Sequence, residues 1–232
     1  MKLAVMQPYL FPYIGYWQLM KAADLFVVLD DVNYIRRGWI NRNRILLDGA
    51  TQFFTLPVEN ASQNRLIMDT KLCFDAKQRE NLLRTFKHAY RGKPGLPEML
   101  PLLGEAFRDP QTDLVDFLEH TMVQVAPLLE IDTPILRASR LRKGEHGKGQ
   151  AGILELCKIT GADTYLNPIG GKALYNREDF LRQGITLHFV ESQPEQITAC
   201  IQDTAWDLSV LDLLLRFPRE ALLQALECYR LC

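Results

Sequence analysis

Arg36, Arg37, Arg42 and Arg44 crowd around Trp39, Asn41 and Asn43, and the acidic pair Asp30-Asp31 stands just upstream. Guanidinium forks match carboxylate and phosphate oxygens two at a time, so Arg37 and Arg42 are expected to clamp an anion, with Trp39 and Asn41 beside it. Asp30 and Asp31 can orient an amine or hydroxyl, hold magnesium where phosphates complete its shell, or cap a turn. The run Gln7-Pro8-Tyr9-Leu10-Phe11-Pro12-Tyr13-Ile14-Gly15-Tyr16 is the densest candidate loop. Gly15 removes a Cβ where a helix begins, which would let a phosphate or carboxylate approach backbone N–H groups. Tyr13 and Tyr16, three apart, would share one face of that first turn. For the tyrosines alone, packing is the stronger reading; for the segment that starts at Gln7, ligand binding is.

Two later loops add groups. Asn167-Pro168-Ile169-Gly170-Gly171 offers Asn167 and Gly170, and Lys143, His146, Lys148 and Gly149 form a basic, glycine-bearing loop. The second could close over a ligand or be a solvated loop; its spacing is not that of a phosphate-binding GxxxxGK[ST] motif. No HExxH, GxSxG or local Cys–His signature is present, and His88, His120 and His188 are scattered. Cys73, Cys157, Cys200, Cys228 and Cys232 are odd in number with no CxxC pair, which suits idle thiols in a reducing cytoplasm.

The elements that position these groups follow from the pattern. Lys2–Met6 and Leu25–Leu29 are short continuous apolar runs, as expected of parallel strands covered on both faces, with a helix from Ile14 to Ala23 between them. Asp48-Gly49 between extended runs predicts a hairpin, and Leu66–Leu72 is a further candidate strand. Asp75 can cap a helix to about Tyr90; two more are expected near Pro97–Phe107 and Thr112–Leu128, as a lid or a support. Strands return at Pro134–Leu136, Thr164–Leu166 and Ile185–Val190, with helices at Gln150–Thr160 and after Asn176, and two helices parted at Phe217-Pro218 close the chain. The expectation is one α/β domain over 1–232, a mainly parallel sheet with flanking helices and a mainly helical insertion at about 75–130.

The 232 residues are 47% hydrophobic and 24% charged, with a formal net charge of -1. That balance gives no electrostatic case for nucleic acid or a membrane surface. The local arginines point instead to a small anionic ligand. No apolar run reaches the ~18 residues of a membrane span, and no signal peptide is visible, so a cytoplasmic protein is expected.

Gln7-Pro8-x-x-x-Pro12-x-x-Gly15-Tyr16, Ala23-Asp24, Asp30-Asp31, Trp39-x-Asn41-Arg42-Asn43 and Gly161-Ala162-Asp163-x-Tyr165-Leu166 resemble the WbqC-like protein family over nearly the whole chain. The resemblance implies a role tied to bacterial surface-polysaccharide (O-antigen) gene clusters, with aminoacyl or acyl (glycine) transfer as the proposed chemistry. A looser resemblance, through Tyr13-Ile14-Gly15-Tyr16, is to the HxGH nucleotidyltransferases such as pantothenate synthetase. There the two histidines bind ATP phosphates; here tyrosines hold both positions, and tyrosine donates a hydrogen bond but supplies no cation near neutral pH. A nucleotide, nucleotide-sugar or amino acid is the expected small-molecule partner, with ATP and Mg2+ as candidate cofactors. The alternative is a binding protein that uses the same pocket without turnover. In open parallel sheets ligands sit at the carboxyl ends of strands. Gln7, Tyr16, Asp30, Asp31, one of Arg37 and Arg42, and the Asn167–Gly171 loop are therefore expected to line one cavity.

Overall fold

Apolar residues alternate between two buried clusters along every central strand. The computed structural model describes residues 1–108, 112–142 and 147–232. It opens with β1 (Lys2–Met6), α1 (Ile14–Ala22) and β2 (Leu25–Val28). A hairpin of β3 (Arg42–Leu47) and β4 (Ala50–Thr55) follows, then α2 (Ala76–Ala89), α3 (Leu96–Arg108) and α4 (Leu114–Val125). The sheet resumes with β5 (Ile135–Arg137), α5 (Ala138–Leu141), α6 (Gln150–Thr160), β6 (Thr164–Pro168), α7 (Arg177–Arg182) and β7 (Thr186–Ser192). The chain continues through α8 (Pro194–Ile201), α9 (Val210–Arg216), α10 (Arg219–Leu226) and β8 (Tyr229–Leu231).

The sheet has the order β5-β2-β1-β6-β7-β8, parallel except for β8 at the edge. Numbered among themselves, the five parallel strands run 3-2-1-4-5, the doubly wound order whose direction reverses beside the first strand. Ala4, Phe26, Val28, Leu166 and Val190 enter the cluster beneath α1, α8 and α10. Leu3, Val5, Val27, Tyr165, Leu187 and Phe189 enter the other, with Ile153, Leu156 and Cys157 of α6 and Phe180 of α7. Burial on both faces is why these strands read as continuous apolar runs.

The predicted βαβ unit is present, with Leu3 paired to Leu25 and Val5 to Val27 in parallel register. The hairpin turns at Asp48 (φ 51) and Gly49 (φ 77), the positive φ at both central positions that a type I′ turn requires. Asp75 caps α2 in a reciprocal box with Gln78. The helices α2 to α4 bury Phe86, Leu103 and Phe117 in the same cluster as α1 and α10. A fully buried carboxylate ties this block to the hairpin and α9. Asp212 accepts from Leu46 N at 2.8 Å, Tyr90 Oη at 2.5 Å and Arg216 Nε at 2.6 Å.

Three expectations need correction. Leu66–Leu72 is not a strand: Ile67–Asp69 is a 3-10 turn, with Asp69 N and Thr70 N bonded to the Leu66 and Ile67 carbonyls instead of a ladder. The helix expected to reach Leu128 ends at Val125, because Pro127 brings in the 3-10 turn Ala126–Leu129. The two helices parted at Phe217-Pro218 are α9 and α10, but a further helix, α8, precedes them and an edge strand, β8, follows, so the last element is a strand.

Candidate functional site

Strands β1, β2, β5, β6 and β7 all end on one edge of the sheet, and the winding reverses between β1 and β6. That is where an open α/β sheet leaves a crevice. One lobe, of about 370 Å³, lies against Gln7 and Tyr9 after β1 and Asn167, Gly170 and Gly171 at the end of β6. A second, of about 330 Å³, is lined by Asp31 and Asn33 after β2 and by Arg142, Lys148 and Gly149 before α6. Leu29, Ile153 and Tyr175 line both lobes, so the two abut along that wall.

Local sequence explains each wall. Gly149 is the N-cap of α6 at φ 56 and ψ -134, a conformation open essentially to glycine, and it starts the helix at the crevice. Gly152 follows one turn in; a Cβ there would stand 2.2 Å from the Gly147 carbonyl oxygen, so the loop lies directly on the helix. Glu155 Oε2 accepts from Gly147 N at 3.1 Å and pins the same loop. Arg142 and Asp31 form an ion pair at 3.2 Å, each side chain only 3% exposed. On the β6 side Asn167 Nδ2 donates to Tyr165 Oη at 2.7 Å, and Tyr165 donates to Tyr175 Oη at 3.4 Å. The Tyr175 hydroxyl can donate to or accept from a group in either lobe.

The residues singled out in the sequence separate into three groups. Gln7, Asp31, Lys148, Asn167 and Gly170 line the crevice. Tyr13 and Trp39 line a neighbouring cavity of about 220 Å³ with Tyr9, Pro12, Asn43, Arg44 and Asp207. The rest are engaged inside the fold. Tyr16 is buried and donates to the Gln7 carbonyl at 3.0 Å. It therefore does not share an accessible face with Tyr13. The space above Gly15 is taken by the Tyr13 ring, 2.5 Å from an added Cβ, so the glycine admits a side chain of its own chain rather than a ligand. Asp30 is fully buried and accepts from Ser139 N at 3.0 Å and Ser139 Oγ at 2.6 Å, holding α5 against β2. Asn41 accepts from Tyr34 Oη at 2.6 Å and donates to the Leu56 carbonyl. Arg42 donates to the carbonyls of Gly38 and Arg37, and Arg37 sits exposed at φ 59. Neither arginine lines the crevice or the neighbouring cavity. The expected single cavity is thus a crevice and a neighbour that share the Tyr9 wall. Lys143 and His146 lie outside the described residues.

Sequence reasoning passed over Tyr9, Arg142, Tyr175 and Asp207. Tyr9 lay in a loop already under suspicion and Arg142 stands immediately before another; nothing local marked Tyr175 or Asp207. Burial raises the hydroxyl pKa of Tyr9, with a contribution from Tyr13 beside it, and burial raises those of Tyr13 and Tyr175. All three stay protonated at neutral pH and serve as donors. Among the described residues no three His, Cys, Asp or Glu side chains gather as a metal site. No helix among them is long and apolar enough to cross a membrane.

The sequence pattern of the WbqC-like protein family matches residues 7–223. The chain is also 40% identical over 58 residues to the uncharacterised Mycobacterium tuberculosis protein Rv1507c, a stretch that covers 25% of this chain and 25% of that relative. No solved structure matches the chain.

Proposed function

This chain belongs to the WbqC-like protein family, and we propose on that footing that it is an enzyme that binds a nucleotide or nucleotide-linked anion in the crevice between β1 and β6. The observation that carries the reading is the opening of α6 into that crevice through Gly147, Lys148 and Gly149. Helix N-terminal N–H groups and a lysine suit phosphate oxygens, and the switch point of a doubly wound sheet is where such ligands bind. In this reading Tyr175 and Asn167, which line the lobe on the β6 side, hold the polar group attached to the phosphate.

The reaction we propose is aminoacyl or acyl transfer, glycine among the candidates, in the building of bacterial surface polysaccharide. Positioning and fixed dipoles carry the rate in this reading, since Asp30 is spent on Ser139 and Asp31 is paired with Arg142. The donor set fits phosphates better than a metal: ATP would meet Lys148 and the α6 amides, and Mg2+ would depend mainly on the phosphates themselves. The likeness to HxGH nucleotidyltransferases rests on the βαβ opening. The tyrosines at the histidine positions face different surroundings, one the neighbouring cavity and one the core. A chain that binds without turnover is the competing reading.

Calorimetric titration with ATP, a nucleotide-sugar and phosphate, beside pyrophosphate release from ATP with free amino acids, tests this. Binding of a nucleotide that weakens about tenfold in Lys148→Ala supports the site, given about 1.5–3 kcal/mol for a hydrogen bond to a charged group. Equal affinity in wild type and variant removes the α6 terminus from the site. Binding with no pyrophosphate release from any amino acid favours the non-catalytic reading.

A further inference from the structure

We propose that the 220 Å³ cavity beside the crevice takes one uncharged, hydroxylated ring, a single pyranose residue of a sugar. Naming that ring the acceptor of a transferred group rests on the reading above; its binding does not. Tyr9, Pro12, Tyr13 and Trp39 supply ring walls from two separate loops. Aromatic faces carry negative charge density and attract the C–H face of a saturated ring.

The polar groups select against charge. Arg44 and Asp207 also line the cavity and pair at 2.8 Å. Arginine only donates and a carboxylate only accepts, whereas a hydroxyl does both. A polyol can therefore bond to each without depriving the other, while an anion meets Asp207 and a cation meets Arg44. Arg44 also lies over the Trp39 ring, its guanidinium carbon 5.3 Å from the centroid. Asn43 is already spent: its Nδ2 donates at 2.8 Å to the Leu10 and Phe11 carbonyls, and its Oδ1 accepts from Arg44 N.

Size points the same way. Pockets for drug-sized ligands run to about 300–1,000 Å³, so this one holds a single ring and not a nucleotide. The shared Tyr9 wall places that ring next to whatever occupies the crevice.

Saturation-transfer NMR and calorimetry on the full chain test the assignment, with methyl α-galactoside, methyl α-glucoside, galacturonate and adenosine as probes. The methyl glycosides are expected to bind more tightly than galacturonate or adenosine. Trp39→Ala is expected to weaken them about tenfold or more, a loss equivalent to about 1.4 kcal/mol. Trp39 is 39% exposed, so the variant should fold, and a melt checks that it does. Asp207→Asn keeps the shape, removes the negative charge and should narrow the gap between galactoside and galacturonate. The assignment is overturned by galacturonate or adenosine binding wild type as tightly as the glycosides. It is equally overturned by glycoside binding indifferent to Trp39→Ala, or by no glycoside binding up to the solubility limit. ATP titration reads the crevice separately, so failure here with retained ATP binding refutes the ring site alone, and the reverse refutes only the nucleotide reading.

Discussion

Arg42 gives its Nε–H to the Gly38 carbonyl at 3.1 Å and a terminal N–H to the Arg37 carbonyl, with its guanidinium carbon 4.5 Å from the Phe53 ring centroid. These bonds close the 37–42 turn, in which Arg37 adopts φ 59. Two of the five guanidinium N–H donors are spent on backbone carbonyls, which fixes the orientation of the group and leaves it less to offer an external anion. Arg42→Ala is therefore expected to lower the melting temperature by several degrees. The bond to Arg37 is exposed and contributes little, the part-buried bond to Gly38 is worth about 1 kcal/mol, and a chain of this size shifts about 2–4 °C per kcal/mol. Anion affinity should change little. A melt unchanged by the substitution, together with a tenfold loss of nucleotide affinity, would return Arg42 to the site.

Between elements, single side chains decide spacing. Asn43 in β3 fastens the Leu10 and Phe11 carbonyls, where Phe11 is bent to φ 42, and Ser209 Oγ donates to the same Phe11 carbonyl at 2.7 Å. The loop after β1 is thus anchored to the hairpin and to α9 before any ligand arrives. At the end of β6, an added Cβ on Gly171 would stand 2.0 Å from Asn167 Oδ1. Gly171→Ala must displace Asn167 and with it the relay through Tyr165 to Tyr175. Gly171 is only partly buried, so stability should fall by about 1 kcal/mol or less, while affinity for a crevice ligand should drop several-fold. Titration calorimetry with ATP on the variant checks this; unchanged affinity would mean that the Asn167 relay does not reach the ligand.

For the whole molecule, the two-faced sheet sets how stability responds to alkali. Cys157 lies in the cluster beneath α6, and burial pushes its thiol from 9.0 up to about 12. Burial also raises the hydroxyl pKa values of Tyr16 and Tyr165, each with a further push from a neighbouring tyrosine. From pH 9 upward the unfolded chain releases these protons and the folded chain keeps them, so the unfolded state binds fewer protons and stability falls as pH rises. Denaturant unfolding between pH 7 and 11 should show that slope, shallower in Cys157→Ala. A stability flat across that range would contradict the buried-thiol and buried-tyrosine picture. At neutral pH a thiol reagent should reach the exposed Cys73 and Cys232 in the folded protein and Cys157 only after unfolding.

The sequence by itself determined the local alphabet. Apolar runs with no alternation announced strands buried on both faces, Asp48-Gly49 dictated the hairpin turn, and Asp75 marked the start of α2. It also placed the candidate site at the ends of β1, β2 and β6, because parallel strands joined by crossovers finish on one edge. Tertiary structure alone decided which polar groups remained for a ligand. Asp30 and Asp31 are neighbours of the same type, yet one is consumed by Ser139, 109 positions away in the chain, and the other pairs with Arg142 in the crevice wall. Tyr13 and Tyr16 diverge in the same way, one at a cavity and one in the core. Residue type sets what a side chain can bond to. Partners brought together by long-range packing set what is left over, and no local pattern records where they will come from.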